Sequence, residues 1–158
     1  MIRRSILGAL AIAISPTFAS ALDTNVSKVT SVSPAQAWEA IGDFCGISAW
    51  HPAVATCKLS EAMGAKLRLI TLKDGGTVRE QLVEQNNDAL IQKSLFLDGA
   101  LPISNYQATL KVVVTGDGTT YSWSGHFLAN GVSDDEAVKS ITSFYSAGVD
   151  GLVVKSKK

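Results

Sequence analysis

The sequence predicts one α+β domain, in which an antiparallel sheet of seven strands wraps around a long C-terminal helix. Three observations predict it. Between residues 54 and 128, six strand-like stretches alternate with short turn signals, which is typical of an antiparallel meander. One further strand and a short helical pair come before them, and a capped amphipathic helix comes after. A single helix covers only one face of such a sheet, so we expect the sheet to curve and to leave a void beneath it.

The first 21 residues have the three parts of a cleavable secretory signal. Arg3 and Arg4 form a basic start, an apolar run extends from Ile6 to Ile14, and Ala-Ser-Ala at 19–21 forms a cleavage box. The apolar run is shorter than the roughly 20 residues that a membrane-spanning helix needs. We therefore expect a periplasmic or secreted protein whose mature chain, residues 22–158, is one ligand-binding domain.

The charge balance argues against nucleic acid as a partner. The chain has 14 Lys and Arg against 14 Asp and Glu, and loss of Arg3 and Arg4 leaves 12 against 14, a net charge of −2. Such a domain has no basic field for nucleic acid or anionic lipid, and no stable membrane insertion is expected after cleavage. The two histidines and two cysteines match no compact metal-ligand spacing, so neither a metal nor another cofactor is expected. The sequence leaves the oligomeric state open.

Cys45 and Cys57 are the only cysteines of the chain. An even number of cysteines in an exported protein indicates a disulfide, although two buried thiols are the alternative. A bridge would close a loop of about 13 residues and stabilise the fold by roughly 3 kcal/mol.

The elements can be placed in order from their boundary signals. A strand is expected at 24–32, and Ser33, Pro34 and Gln36 predict the start of a helix that reaches about Phe44. A short helical segment follows at 46–50. The six later strands are expected at 54–61, 65–73, 77–86, 89–97, 105–115 and 119–128.

The last element is a long helix that ends near Lys155. Ser133 and Glu136 form a second capping box at its start. Apolar or small residues then recur at helical spacing and predict one buried stripe. They are Val138, Ile141, Tyr145, Gly148 and Leu152. Gly148 either makes room for a ligand or allows close packing against the sheet, and packing is favoured.

Several stretches of the chain carry a family resemblance. They are VSPAQAW at 32–38, DF at 43–44, WHP at 50–52, Cys57, GTVREQL at 76–82, LPISNYQATL at 101–110, GDG at 116–118 and Trp123. On these residues the mature chain resembles the helix-grip superfamily of START lipid-transfer domains, the major birch pollen allergen and polyketide cyclase/dehydrase-like proteins. The resemblance implies a helix-grip fold around an internal cavity for a small hydrophobic ligand. That superfamily includes carriers, receptors and enzymes, so fold does not decide function.

The chain is more distantly similar to the plant abscisic-acid receptors. This similarity implies a gate loop at 73–77, containing Asp74, Gly75 and Gly76, over the cavity mouth. It implies a latch loop at 98–102 beside the gate. Glu80 and Tyr106 fall where the receptors place polar ligand contacts. Ala55 stands where they carry a lysine for the ligand carboxylate, so recognition of an acid is not carried over.

Glu80 and Tyr106 are also candidates from the strand pattern. Glu80 shares a face with apolar Val78 and Leu82, where a carboxylate is either paired or has a raised pKa. The alternatives are a polar group in the cavity and an ion pair at its rim. Arg79 points to the other face and is expected to be exposed. The Tyr106 hydroxyl either enters the cavity or has a backbone partner in the core.

His51 is the third catalytic candidate, because a histidine titrates near neutral pH and can act as a general base. A turn cap or a surface position is the alternative. His126 is a weaker candidate of the same kind. The residues expected to bind the ligand are Trp50, Glu80, Leu101, Pro102, Tyr106, Trp123, Ile141 and Tyr145.

Three functions fit these observations. The first is a non-catalytic binder of a small lipid, polyketide or aromatic molecule. The second is a cyclase or dehydratase that uses His51, Glu80 and Tyr106. The third is a protein-interaction module with a collapsed cavity, in which a large exposed apolar patch would be expected.

Overall fold

The computed structural model describes residues 20–116 and 118–158. The predicted signal therefore lies outside the described residues, apart from its last two positions. The elements are β1 (Leu22–Thr30), α1 (Pro34–Ile41), α2 (Ile47–Trp50), β2 (Val54–Ala62), β3 (Ala65–Leu72), β4 (Thr77–Asn86), β5 (Ile91–Gly99), β6 (Ile103–Thr115), β7 (Gly118–Ala129) and α3 (Asp134–Lys155).

The seven strands form one antiparallel sheet in the order β1-β7-β6-β5-β4-β3-β2. The strands after α2 run as a meander, and β1 closes the sheet beside β7. The sheet is curved, and α3 lies in its concave face, packed mainly against β1 and β7. The predicted α+β helix-grip fold is confirmed. Within residues 20–116 and 118–158, the helices are too short or too polar to span a bilayer.

Both predicted capping boxes are present and begin the two longer helices. The Ser33 hydroxyl accepts a hydrogen bond from the Gln36 amide, and Ser133 does the same for Glu136. In each box the side chain of the later residue accepts from the backbone amide of the serine. These reciprocal bonds satisfy amides that have no partner inside the helix.

Several element boundaries differ from the prediction by one to three residues; β6, for example, begins at Ile103 rather than 105. α1 ends at Ile41 rather than near Phe44, because Gly42 takes a left-handed conformation with φ of 74°. β5 begins at Ile91 rather than 89, because the Asn86 side chain accepts from the amides of Asp88 and Ala89 and so extends the turn. β1 lies two residues earlier than expected, at 22–30.

A disulfide joins Cys45, in the turn after α1, to Cys57 on β2, with a Cα–Cα distance of 5.5 Å. The turn that contains Cys45 packs closely on the end of α1, since a Cβ on Gly46 would lie 2.1 Å from the Ile41 carbonyl oxygen. α2 follows this turn and contacts β2 and α3. The disulfide thus attaches the two short helices to the edge of the sheet.

Candidate functional site

A buried ion pair lies in the concave face of the sheet. Arg68 on β3 and Glu80 on β4 are directly opposite in register, and their side chains are only 5% and 6% exposed. The Nε and Nη2 atoms of Arg68 lie 2.7 and 2.5 Å from Oε2 of Glu80. Of the alternatives for Glu80, the structure shows an ion pair inside the domain rather than at its rim.

Arg68 is a site residue that the sequence analysis did not identify. Its Nη1 atom donates to the Phe44 carbonyl oxygen at 2.6 Å, and its guanidinium carbon lies 4.2 Å from the centre of the Phe44 ring. The sequence contained one indication that Arg68 is buried, because it lies on the same face of β3 as Ile70 and Leu72. Apolar residues also occupy the other face of β3, so the sequence did not show which face points into the domain.

Two tyrosine hydroxyls meet beside the ion pair. The Oη atoms of Tyr106 and Tyr145 are 2.5 Å apart, and Tyr145 also donates to the Ser124 carbonyl at 3.4 Å. Burial raises the pKa of both hydroxyls, so both stay protonated at neutral pH. Gly125 makes this arrangement possible, because a Cβ there would lie 2.3 Å from the Tyr145 oxygen.

Aromatic rings fill most of the space between α3 and the sheet. Trp123 stacks on Tyr145 with centroids 4.4 Å apart and meets Trp50 edge-on at 5.6 Å. Gly148 on α3 allows this packing, since a Cβ there would lie 2.6 Å from Trp123 and 2.7 Å from His51. Gly148 therefore makes room for packed rings.

His51 is buried and has a partner at each ring nitrogen. Its Nδ1 accepts from the Ala53 amide at 3.1 Å, so Nε2 carries the proton and donates to the Phe144 carbonyl at 2.9 Å. Burial lowers its pKa to about 4. The surface alternative is wrong, whereas the contact with Ala53 does hold the turn. With both nitrogens engaged, the ring has no free lone pair for a general base.

Two small voids remain between the rings of the described residues, each of about 10 Å³. Such a volume holds one water molecule. The ligand-sized void that the sequence predicts is therefore closed in this structure, because the aromatic side chains occupy it. The first void is bordered by Trp50, Arg68, Gln92, Ser94, Ala108, Leu110 and Trp123. The second is bordered by Ile47, Arg68, Ile70, Val78, Glu80, Leu101, Tyr106, Trp123 and Phe144.

The structure brings together five of the eight residues predicted to bind a ligand. The residues that border a void are Trp50, Glu80, Leu101, Tyr106 and Trp123. Tyr145 borders neither void, but its hydroxyl contacts that of Tyr106. Ile141 is buried in the core but borders neither void, and Pro102 is half-buried in the latch loop. We call the two voids and their borders the interior site.

The loops at 73–77 and 98–102, expected to be gate and latch, touch each other, since the Ala100 amide donates to the Thr77 carbonyl. Asp74 accepts from the Gly76 amide at 2.9 Å, and Gly75 has a φ of 92° that favours glycine. A Cβ on Gly76 would lie 2.9 Å from the Ala100 side chain. Arg79 and Asp98 form an exposed ion pair at the same end, on the outer face of the sheet as expected for Arg79.

A further depression lies elsewhere on the described surface, between α1, α2 and α3. This groove has a volume of about 1010 Å³ and is open to solvent. Its lining mixes charged and apolar residues, among them Glu39, Asp150 and Val154. His126 lies away from both places, exposed on β7 and paired with Asp23. The described residues contain no cluster of His, Cys, Asp or Glu that could hold a metal ion.

Solved structures share this architecture. An uncharacterised protein from Bacillus thuringiensis is 28% identical with a TM-score of 0.79, and the match covers 87% of this chain and 100% of that one. The protein XoxI from Bacillus cereus is also 28% identical, with a TM-score of 0.77 and coverage of 86% and 96%. The Zhui aromatase/cyclase from a Streptomyces species is 11% identical, with a TM-score of 0.73 and coverage of 87% and 94%, and shows the fold alone.

Comparison with curated proteins gives no match. A family model described as "Polyketide cyclase / dehydrase and lipid transport" matches residues 22–156, which is nearly the whole described domain. This match and the helix-grip fold confirm the resemblance inferred from the sequence. The chain belongs to the polyketide cyclase/dehydrase and lipid transport family.

Proposed function

We propose that the chain is an exported binder of a small hydrophobic or amphipathic molecule, held in the interior site. The observation that carries this proposal is the composition of the second void. Arg68, Glu80 and Tyr106 lie at its polar side, and the other borders are apolar. A few placed polar groups in a mostly apolar wall are typical of small-molecule sites.

A ligand would enter the second void from solvent between Leu101 and Phe144. Leu101 and Phe144 are the half-buried residues among the borders of the second void, and the others are buried. Outward movement of these two side chains would join the void to solvent. Leu101 belongs to the loop at 98–102, so separation of this loop from the loop at 73–77 would widen the same opening. Burial of the ligand would supply about 25 cal/mol per Å² of apolar surface.

Binding is favoured over cyclase or dehydratase chemistry by the state of the candidate residues. Such an enzyme needs a general acid and a general base that face one cavity. Both nitrogens of His51 are engaged, and the Glu80 carboxylate is paired with Arg68. A filled interior also fits a protein-interaction module, and a saturable small-molecule titration separates that function from binding.

Fluorescence titration with the uncharged probe N-phenyl-1-naphthylamine tests the proposal. We expect saturable binding at one site per chain. Phe144→Ala removes a ring beside the second void and should tighten binding by about fivefold, since a dry cavity takes up apolar molecules. Val154→Ala, in the groove, is the matched control and should leave the affinity unchanged. Absence of saturable binding, or sensitivity to Val154 alone, would contradict the proposal.

Export is the second part of the proposal. The basic start, the apolar run and the Ala-Ser-Ala box support it, and both β1 and the family match begin at residue 22, directly after that box. The intact mass of the protein expressed from the full chain in a bacterial host is the test. We expect a periplasmic product that starts at Leu22 and lacks two hydrogens because of the disulfide. An uncleaved product held in the membrane fraction would contradict export.

A further inference from the structure

The interior site contains one full charge of each sign. Arg68 on β3 and Glu80 on β4 are the buried Lys, Arg, Asp or Glu side chains of the described residues. The other titratable groups that face them are neutral at pH 7. His51, at the end of α2, has a lowered pKa, and the hydroxyls of Tyr106 on β6 and Tyr145 on α3 stay protonated. The interior is therefore electrically neutral before a ligand enters.

All three guanidinium nitrogen atoms of Arg68 already have hydrogen-bonding partners. Two of its nitrogen atoms contact Glu80, and the third donates to the Phe44 carbonyl. An anionic ligand would therefore meet the Glu80 carboxylate and no free cation. It would lose its hydration without a compensating partner, which is costly in a buried site.

A hydroxyl or carbonyl group loses much less on burial, because it carries no charge and one hydrogen bond compensates it. The Tyr106 hydroxyl, whose proton goes to Tyr145, accepts from a ligand hydroxyl at the second void, and Ser94 and Gln92 offer a hydroxyl and an amide at the first. These groups hydrogen-bond to neutral oxygen atoms without leaving a charge unpaired. The polar borders of both voids thus suit an uncharged, oxygen-bearing ligand.

We infer that the interior site selects uncharged ligands over anionic ones, and that Glu80 sets this selectivity by neutralising Arg68. The inference rests on the proposed function, since it concerns the ligand of the same site. It assigns to Glu80 a role in specificity rather than in catalysis. Removal of its charge would leave an unpaired cation in the interior and should turn the preference toward anions.

Two matched probes test the inference. N-phenyl-1-naphthylamine is uncharged, and 8-anilinonaphthalene-1-sulfonate is the same molecule with one sulfonate. We expect the unmodified protein to bind the uncharged probe at least about tenfold more tightly. Glu80→Gln should lower this ratio by about tenfold or more, because Arg68 then pairs with the sulfonate. Glu84→Gln, on the same strand and paired with Lys93 at the surface, is the control and should keep the ratio.

A double variant keeps the test valid if the unpaired arginine prevents folding. Arg68→Gln with Glu80→Gln removes both charges and should keep the preference for the uncharged probe. Equal affinities of the unmodified protein for both probes, with saturable binding, would overturn the inference and leave the proposed function standing. Failure of both probes to bind would instead overturn the proposed function, and the inference with it.

Discussion

Arg68 and Glu80 face each other across β3 and β4, with two guanidinium nitrogens against a single carboxylate oxygen at 2.7 and 2.5 Å. Both side chains are almost entirely removed from solvent. Charges in such a place are expensive to bury, and their mutual attraction offsets that cost only while both are present. The pair thus makes a strong prediction about stability.

Loss of one partner should cost far more than loss of both. We expect Arg68→Met alone or Glu80→Gln alone to lower the free energy of unfolding by about 3–5 kcal/mol. The double variant Arg68→Met with Glu80→Gln should lose much less stability, because it leaves no charge unpaired. Urea denaturation of the three variants measures this. Additive losses in the double variant would show that the two side chains do not act as a pair.

The buried His51 should make stability depend on pH. Its folded pKa of about 4 lies below the ordinary value of 6.5, so the unfolded chain takes up a proton first as the pH falls. The stability from neutral His51 is complete above pH 6.5 and is lost between 6.5 and 4, about 3 kcal/mol in all.

Urea denaturation across this range, compared between the unmodified protein and His51→Gln, isolates that contribution from those of the carboxylates. The unmodified protein should lose more stability than the variant between neutral pH and about pH 5. His126→Gln changes an exposed histidine and is the control, with the pH dependence retained. Identical pH dependence in the His51 variant would show that the imidazole is not held neutral.

Gly125 should be required for the tyrosine pair. A methyl group there would lie 2.3 Å from the Tyr145 hydroxyl and 2.9 Å from the Tyr106 ring. We expect Gly125→Ala to destabilise the fold by about 1–3 kcal/mol through overpacking. Adding Tyr145→Phe removes the closest atom and should recover part of that loss. Thermal unfolding of the single and double variants gives the coupling, and simple additivity would contradict the contact.

The disulfide should stabilise the domain chiefly through the unfolded chain. We expect replacement of both Cys45 and Cys57 by serine to cost about 3 kcal/mol, as the loop between them is short. Reduction of the unmodified protein should give the same loss, and the reductant should leave the double variant unaffected. Equal denaturation midpoints for the oxidised and reduced protein would contradict a structural disulfide.

The fold could be predicted because its signals are local. Asn86-Asn87-Asp88 and similar turns separate the strands, and Ser33 and Ser133 mark helix starts through bonds within four residues. The end of α1 before Gly42 was harder to predict, because a helix can continue through a glycine at a cost of about 1 kcal/mol. Boundaries of this kind depend on the turn that follows.

The site was only partly predictable because it depends on contacts between distant residues. Glu80 was identified from its apolar strand face, but its partner Arg68 lies on another strand whose two faces are both apolar. The closing of the interior was expected only in the alternative of a protein-interaction module with a collapsed cavity, for a similar reason. It depends on how the rings of Trp123, Phe144 and Tyr145 stack, and strand and helix periodicity does not specify ring orientation.

The central claim is that a small molecule enters the interior site and not the groove between α1, α2 and α3. Methyl NMR during titration with N-phenyl-1-naphthylamine tests it most directly. Leu101, Val78 and Ile70 border the second void, and Val154 and Ala147 border the groove. We expect saturable shifts of the methyl signals of Leu101, Val78 and Ile70. The methyl signals of Val154 and Ala147 should change little. Shifts confined to Val154 and Ala147 would contradict it.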